Sequence, residues 1–316
     1  VALTSQAVAV LVLRRVDRTF ALRWSPTSRT AARRMTSFGL TLTVSQVAVL
    51  LQKRTSEIVI GAMMSITAVA PYALARRLSD LPHMISDQFI KVLLPVASEL
   101  HATGTPEAMR RLYLVSTRIT LALMFPLGLC AAFLSADLLE LWVGAQYRDQ
   151  AVLVVILVTA SVAFTSQWPA GSVFQGMGRF GPFAVASLIS GVANVTLSLL
   201  LVGPFGLVGV AVGTLIPTVA EAFFFAGPYT LRKLAIPARA FLRQVLVPTM
   251  LPAVPCAAIL FAAGRLGGDP SWVRLVATGA LATGAYGIGY LLSPTSSQER
   301  AVVTAMVRRR SAAGPR

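Results

Sequence analysis

The 316 residues are 55% hydrophobic and only 13% charged, with a mean hydropathy of +0.71, a composition that excludes an ordinary soluble domain and places the chain with polytopic membrane proteins. A formal charge of +16 would suggest a nucleic-acid partner in a soluble protein. Here the arginines gather in alternate short loops between apolar runs, which the positive-inside rule explains without nucleic acid.

In chain order, Val1–Leu13 is apolar but too short to cross about 30 Å of hydrocarbon. It lacks the basic start and small-residue cleavage site of a signal peptide, so it reads as the remnant of a preceding transmembrane helix. Residues 14–36 form a basic cytoplasmic connector, and an N-terminal bundle is expected to be missing before it. Apolar spans follow at roughly 37–62, 66–98, 112–134, 150–174, 182–203, 206–227, 244–264 and 272–292. A hairpin of two short spans, 38–51 and 58–72, is the alternative for the first pair. At 1.5 Å per residue those would reach only about 21 to 23 Å, which favours two long helices, the second kinked at Pro82. The fold class is therefore all-α, a polytopic transmembrane helix bundle. Cys130 and Cys256 each lie within an apolar run and read as small core hydrophobes, with neither a disulfide framework nor a metal site expected.

The first two spans carry an unusual load. Eight charged side chains fall between Lys53 and Lys91. Arg76, Asp80, His83, Asp87 and Lys91 are spaced 4, 3, 4 and 4, so they stay within roughly 80° of one helix face. Gln46, Lys53 and Glu57 repeat the pattern on the first helix, with Arg54 a little to one side. Eight ionised groups facing lipid would cost about 20 to 28 kcal/mol, so they must face protein or water.

Lysine and arginine number 20 in one set of alternate loops and the tail from Arg300, against 3 in the other set. The first set is therefore expected to be cytoplasmic, including the C-terminal tail 293–316. Trp142 and Trp272 fall at the expected outer edges, where indoles prefer to sit.

Three stretches resemble a known family. They are Ala-Pro-Tyr-Ala-Leu-Ala-Arg-Arg-Leu at 70–78 with Leu94-Pro95 and Ala108–Tyr113; Leu138-Leu139-Glu140-Leu141-Trp142-Val143-Gly144 with Tyr147; and Phe174–Arg179 through Asn194 to Gly206–Ala211 and Gly213-Thr214. Over about 37 to 245 the chain resembles the polysaccharide-type (Wzx-like) lipid-oligosaccharide flippases of the MOP superfamily, relatives of MurJ-type and MATE-type transporters. The resemblance implies two six-helix lobes around a central cavity. On that scheme 37–227 is the C-terminal lobe and 228–292 supplies two additional helices.

It also implies a function: moving a polyprenyl-diphosphate-linked oligosaccharide, a cell-surface polysaccharide precursor, from the cytoplasmic to the outer leaflet by alternating access. No bond is broken, so no catalytic residue, metal or cofactor is expected, and the chain is read as not an enzyme. Arg76 and Arg77 are the candidates for diphosphate contact, because a guanidinium matches phosphate oxygens as a planar fork. Lys53, Arg54 and Lys91 add positive potential, while Glu57, Asp80 and Asp87, with Gln46 and His83, balance it. Intrahelical pairing of Lys53 with Glu57, Arg76 or Arg77 with Asp80, and Asp87 with Lys91 is the purely structural alternative. Glu221, the only acid in the later helices, is a candidate coupling residue or else snorkels or bonds to a neighbour. Asn194 is expected to bond across to another helix. The expected partners are the bilayer, the lipid-diphosphate substrate and the glycan polymerase or glycosyltransferase machinery. The competing readings are a MATE-like cation-coupled exporter of small molecules and a non-functional fragment.

Overall fold

The computed structural model describes residues 29–267 and 269–293, and every regular element among them is helical. The stub at 1–13, the connector up to residue 28 and the tail from residue 294 lie outside the described residues. Residues up to Leu40 make one compact unit and those from Thr41 another. The described part of the first is the start of helix α1 (Arg29–Met63), where Thr36 Oγ1 donates to the Ala32 carbonyl at 2.9 Å. The remaining elements belong to the second unit.

Helix α1 runs unbroken through Gln52–Glu57, so the two-short-span alternative does not form. That stretch has no glycine or proline, and its Gln, Lys, Arg and Glu are good helix formers. Ser65 then caps α2 (Ile66–Ile90) by accepting the Ala68 N–H at 3.2 Å. The span expected to reach residue 98 stops at Ile90 and restarts as α3 (Leu93–Thr103). Pro95 explains the break: in a continuous helix its ring would meet the Lys91 carbonyl, whereas in the first turn of α3 its missing N–H costs nothing.

Thr105 caps α4 (Pro106–Phe133), which is followed by α5 (Ser135–Val143), a 3-10 turn at Ala145–Gln150, α6 (Ala151–Ser166) and α7 (Trp168–Gly176). Helix α8 (Gly181–Ala220) folds back on itself at Gly206, whose φ of 56° and ψ of −134° are non-helical. A Cβ on Gly209 would sit 2.1 Å from the Leu201 carbonyl oxygen, and one on Gly213 2.8 Å from Ser198 N. The two arms thus touch backbone to backbone, which only glycine allows. A π-helical turn at Glu221–Ala226 leads into α9 (Gly227–Lys233); α10 (Ala238–Phe241), a second π turn at Leu242–Leu246, α11 (Val247–Met250), α12 (Ala253–Arg265) and α13 (Trp272–Leu292) complete the described residues.

By length and composition, five helical stretches can cross a membrane: Pro106–Phe133, Ala145–Gly176, Gly181–Lys233, Ala238–Arg265 and Trp272–Leu292. The third, at 53 residues, would be about 80 Å long if straight, so the fold at Gly206 turns it into two crossings. The charged helices α1 and α2 are not among the five; α1 contributes the shorter apolar segment Gly39–Gln52.

Helix α6 packs against α2, α4 and α8. One apolar core joins Ile60, Tyr72, Leu78, Leu139, Leu157 and Val210; a second, around Tyr113, Phe174, Phe183 and Ile236, gathers the ends of α4, α7 and α9. Cys256, Leu260, Ala282 and Tyr286 form a third under α12 and α13. Both cysteines are unbridged, Cys256 buried and Cys130 half-buried. Arg274, at the start of α13, reaches Asp137 of α5 at 3.0 Å, and Arg148 joins Asp137 and Glu140.

Candidate functional site

A narrow polar cleft of about 30 Å³ opens between α1, α2, α6 and α8. Gln52 lines it from α1, Arg76, Asp80 and His83 from successive turns of α2, Ser161 and Phe164 from α6, and Thr214 and Thr218 from the second arm of α8. The α2 side chains converge because 100° per residue keeps spacings of 4 and 3 on one face.

The Arg76 guanidinium is mostly buried, its side chain 15% exposed, and meets Asp80 through Nε at 3.6 Å. This is well beyond the roughly 2.7 to 2.9 Å of a strong charge-assisted hydrogen bond. His83 Nδ1 lies 3.0 Å from Thr165 Oγ1, and the Thr165 hydroxyl gives its single hydrogen to the Ser161 carbonyl at 2.7 Å. At the histidine contact the threonine oxygen therefore accepts and Nδ1 donates. Trp168 meets the imidazole edge-on, with centroids 4.7 Å apart.

Gln52 extends the cleft into the lobe. Its amide nitrogen donates to the Ser187 carbonyl at 3.3 Å and lies 3.5 Å from Glu221 Oε2, while Ser187 Oγ donates to Glu221 Oε1 at 2.6 Å. Glu221 is buried and opens the π turn. Ser56 and Thr214 join hydroxyls at 3.3 Å alongside. Asn194 is corrected: it is buried, and neither of its side-chain amide atoms has a hydrogen-bond partner among the described residues.

Of the sequence-predicted residues, the structure brings Arg76, Asp80 and His83 together. Arg77, one residue on, is turned away and exposed. Asp87 and Lys91 pair with each other at 2.7 Å near the end of α2, with Lys91 largely exposed. Arg54 and Gln46 are exposed and Glu57 is half-buried, while the Lys53 side chain lies outside the described residues. The intrahelical pairs Arg76–Asp80 and Asp87–Lys91 both occur. Sequence reasoning passed over Gln52, Ser161, Thr165, Ser187, Thr214 and Thr218. Their signal was the i, i+4 recurrence of small polar residues within apolar helices, as in Gln52/Ser56, Ser161/Thr165 and Thr214/Thr218. No group of three or more His, Cys, Asp and Glu suited to a metal occurs among the described residues.

This arrangement defines a class: a multi-pass, all-helical membrane protein with a polar cleft inside its bundle. Residues 1–153 match a polysaccharide biosynthesis protein family. The chain is 22% identical over 290 residues to the uncharacterized membrane protein EpsK of Bacillus subtilis (strain 168), covering 90% of this chain and 56% of that one. Among solved structures it resembles the lipid II flippase MurJ in an inward closed conformation, with a TM-score of 0.59 and 15% identity over 80% of this chain and 52% of that one. A MOP superfamily transporter from Pyrococcus furiosus is less similar, with a TM-score of 0.49 and 15% identity over 81% and 63%. The chain spans about half the length of EpsK and of MurJ. Its first 153 residues thus resemble a polysaccharide biosynthesis family, and its helical fold resembles that of MurJ.

Proposed function

We propose that the chain supplies one lobe of a transporter that carries a polyprenyl-diphosphate-linked oligosaccharide from the cytoplasmic to the outer leaflet of a bacterial plasma membrane. Residues 37–227 are the lobe in this reading and 228–292 two additional helices, with the arginine-rich loops and tail on the cytoplasmic side. The observation that carries it is Arg76: a nearly buried guanidinium, loosely paired with Asp80 in a polar cleft inside an apolar bundle. A tight ion pair would be a structural end in itself, whereas a long Nε contact leaves a cation that a diphosphate can take over bidentately.

The transfer breaks no covalent bond; the protein's task is to offer positive charge in a wet path and then release it. At about 30 Å³ the cleft holds a water or two, so the head group enters only when the facing wall moves away. Glu221, tied to the cleft through Gln52, is the group through which a coupling cation acts in this scheme. The other positions, Arg77, Lys53, Arg54 and Lys91, contribute diffuse potential rather than direct contact.

Surface glycan export in cells carrying Arg76→Ala, Arg76→Lys and Arg77→Ala tests this. Arg76→Ala should reduce export at least tenfold, Arg76→Lys should restore part of it, and Arg77→Ala should do less harm. Normal export by Arg76→Ala, with the protein at normal level in the membrane, overturns the assignment.

A further inference from the structure

A second cavity, of about 310 Å³, lies where α3 passes into α4 and where α9 turns toward α10. None of its lining residues belongs to the polar cleft. His101, Arg110 and Lys233 line it, and no carboxylate does; Leu100, Met109, Met177 and Leu234 give it an apolar floor. Glu107 approaches Arg110 only at 3.9 Å and is largely exposed.

We propose that this cavity binds the phosphate of an anionic lipid head group. Its depth supports a lipid: one membrane-crossing stretch begins at Pro106 and another ends at Lys233, both on the cavity wall. The cavity therefore sits where hydrocarbon gives way to water, the level occupied by lipid phosphates. A free anion has no use for the apolar floor, whereas a glycerol backbone and the first methylenes of an acyl chain do.

The site is also held in shape. Arg110 Nε donates to the Leu234 carbonyl at 2.6 Å, which fixes the guanidinium against the cavity. Lys233 ends α9, with its ammonium 5.8 Å from the Tyr229 ring centroid. The turn beyond it closes through Ile236 N–H to Leu231 O at 2.8 Å, with Ala235 at a φ of 49°. The charge comes from side chains rather than from the start of α4, where Thr105 already caps the Ala108 N–H. Arg111, Arg232 and Arg239, all exposed nearby, add to the positive potential.

The test is native mass spectrometry of the purified full chain in detergent doped with phosphatidylglycerol or phosphatidylcholine, with a parallel melting measurement in millimolar inorganic phosphate. Phosphatidylglycerol should be retained in preference to phosphatidylcholine, and Lys233→Gln should weaken retention about fivefold. His101→Gln, also at an exposed position, should weaken it further in combination, with melting unchanged in the absence of lipid. Equal retention of the two lipids, or undiminished phosphatidylglycerol retention by the double variant, overturns the proposal. Stabilisation by inorganic phosphate alone that disappears in Lys233→Gln reassigns the pocket to free phosphate and overturns the lipid reading.

Discussion

Gln52 stands between the polar cleft and Glu221: it lines the cleft, and its amide nitrogen lies 3.5 Å from Glu221 Oε2 across 169 residues of sequence. Ser187 holds the other carboxyl oxygen at 2.6 Å and gives its carbonyl to the same amide. Three helical segments distant in sequence thus share one buried hydrogen-bonded group, and the cleft cannot widen on the α1 side without disturbing it.

Removing one member should cost more than the bond itself is worth, because a buried polar partner is left behind. Ser187→Ala is expected to lower stability by about 1 to 3 kcal/mol. Combined with Glu221→Leu, the loss should fall short of the sum of the single variants by about 0.5 kcal/mol or more. Unfolding in mixed micelles titrated with SDS measures both, and strict additivity would show that the two side chains do not interact.

The α8 hairpin supplies a sharper contrast. Gly209→Ala drives a methyl into the Leu201 carbonyl and Gly213→Ala into Ser198, so each should cost about 1 to 3 kcal/mol or more. Gly203→Ala, where nothing lies within 4 Å of the new methyl, should change stability by less than about 0.5 kcal/mol. The same unfolding titration ranks the three.

Ala235 occupies the left-handed region at a φ of 49°, which costs an L-residue roughly 1 kcal/mol. Ala235→Gly should recover part of that and stabilise the protein by up to about 1 kcal/mol, read as a raised midpoint. A lowered midpoint would mean that the methyl makes a compensating contact.

Thr165 orients His83. Replacing its hydroxyl with a methyl in Thr165→Val leaves the Nδ1 donor of a buried histidine without that acceptor, an expected loss of about 1 kcal/mol or more. If the histidine's orientation matters to glycan export, export should fall in Thr165→Val while Thr165→Ser, which keeps the hydroxyl, stays near normal. Equal export by the two variants would show that the contact serves stability alone.

Much of this protein was legible in its residues. Hydropathy dictates an all-helical membrane bundle because backbone polar groups have no partner in hydrocarbon other than one another. The 4-3-4-4 spacing on α2 brought out Arg76, Asp80 and His83 because helical periodicity is a local property, and the family likeness was carried by three short motifs. Local spacing could not say where the stripe leaves the cleft. Asp87 and Lys91 share its face yet pair with each other near the end of α2, and Arg77 differs from Arg76 by only one helical step. The extent of the cleft depends on which helices close around it: α6 brings Thr165 to His83, and the fold at Gly206 brings Thr214 and Thr218 opposite α2. Gln52 acquires its role from Ser187 and Glu221, which reach it only through packing. Sequence alone determined the helical, membrane-spanning character of the chain and the charged face of α2, since these follow from local chemistry, although not every helix boundary. Only the tertiary structure decided which of those charges share a cleft, because the walls of the cleft are brought together by contacts between residues 82 to 169 positions apart.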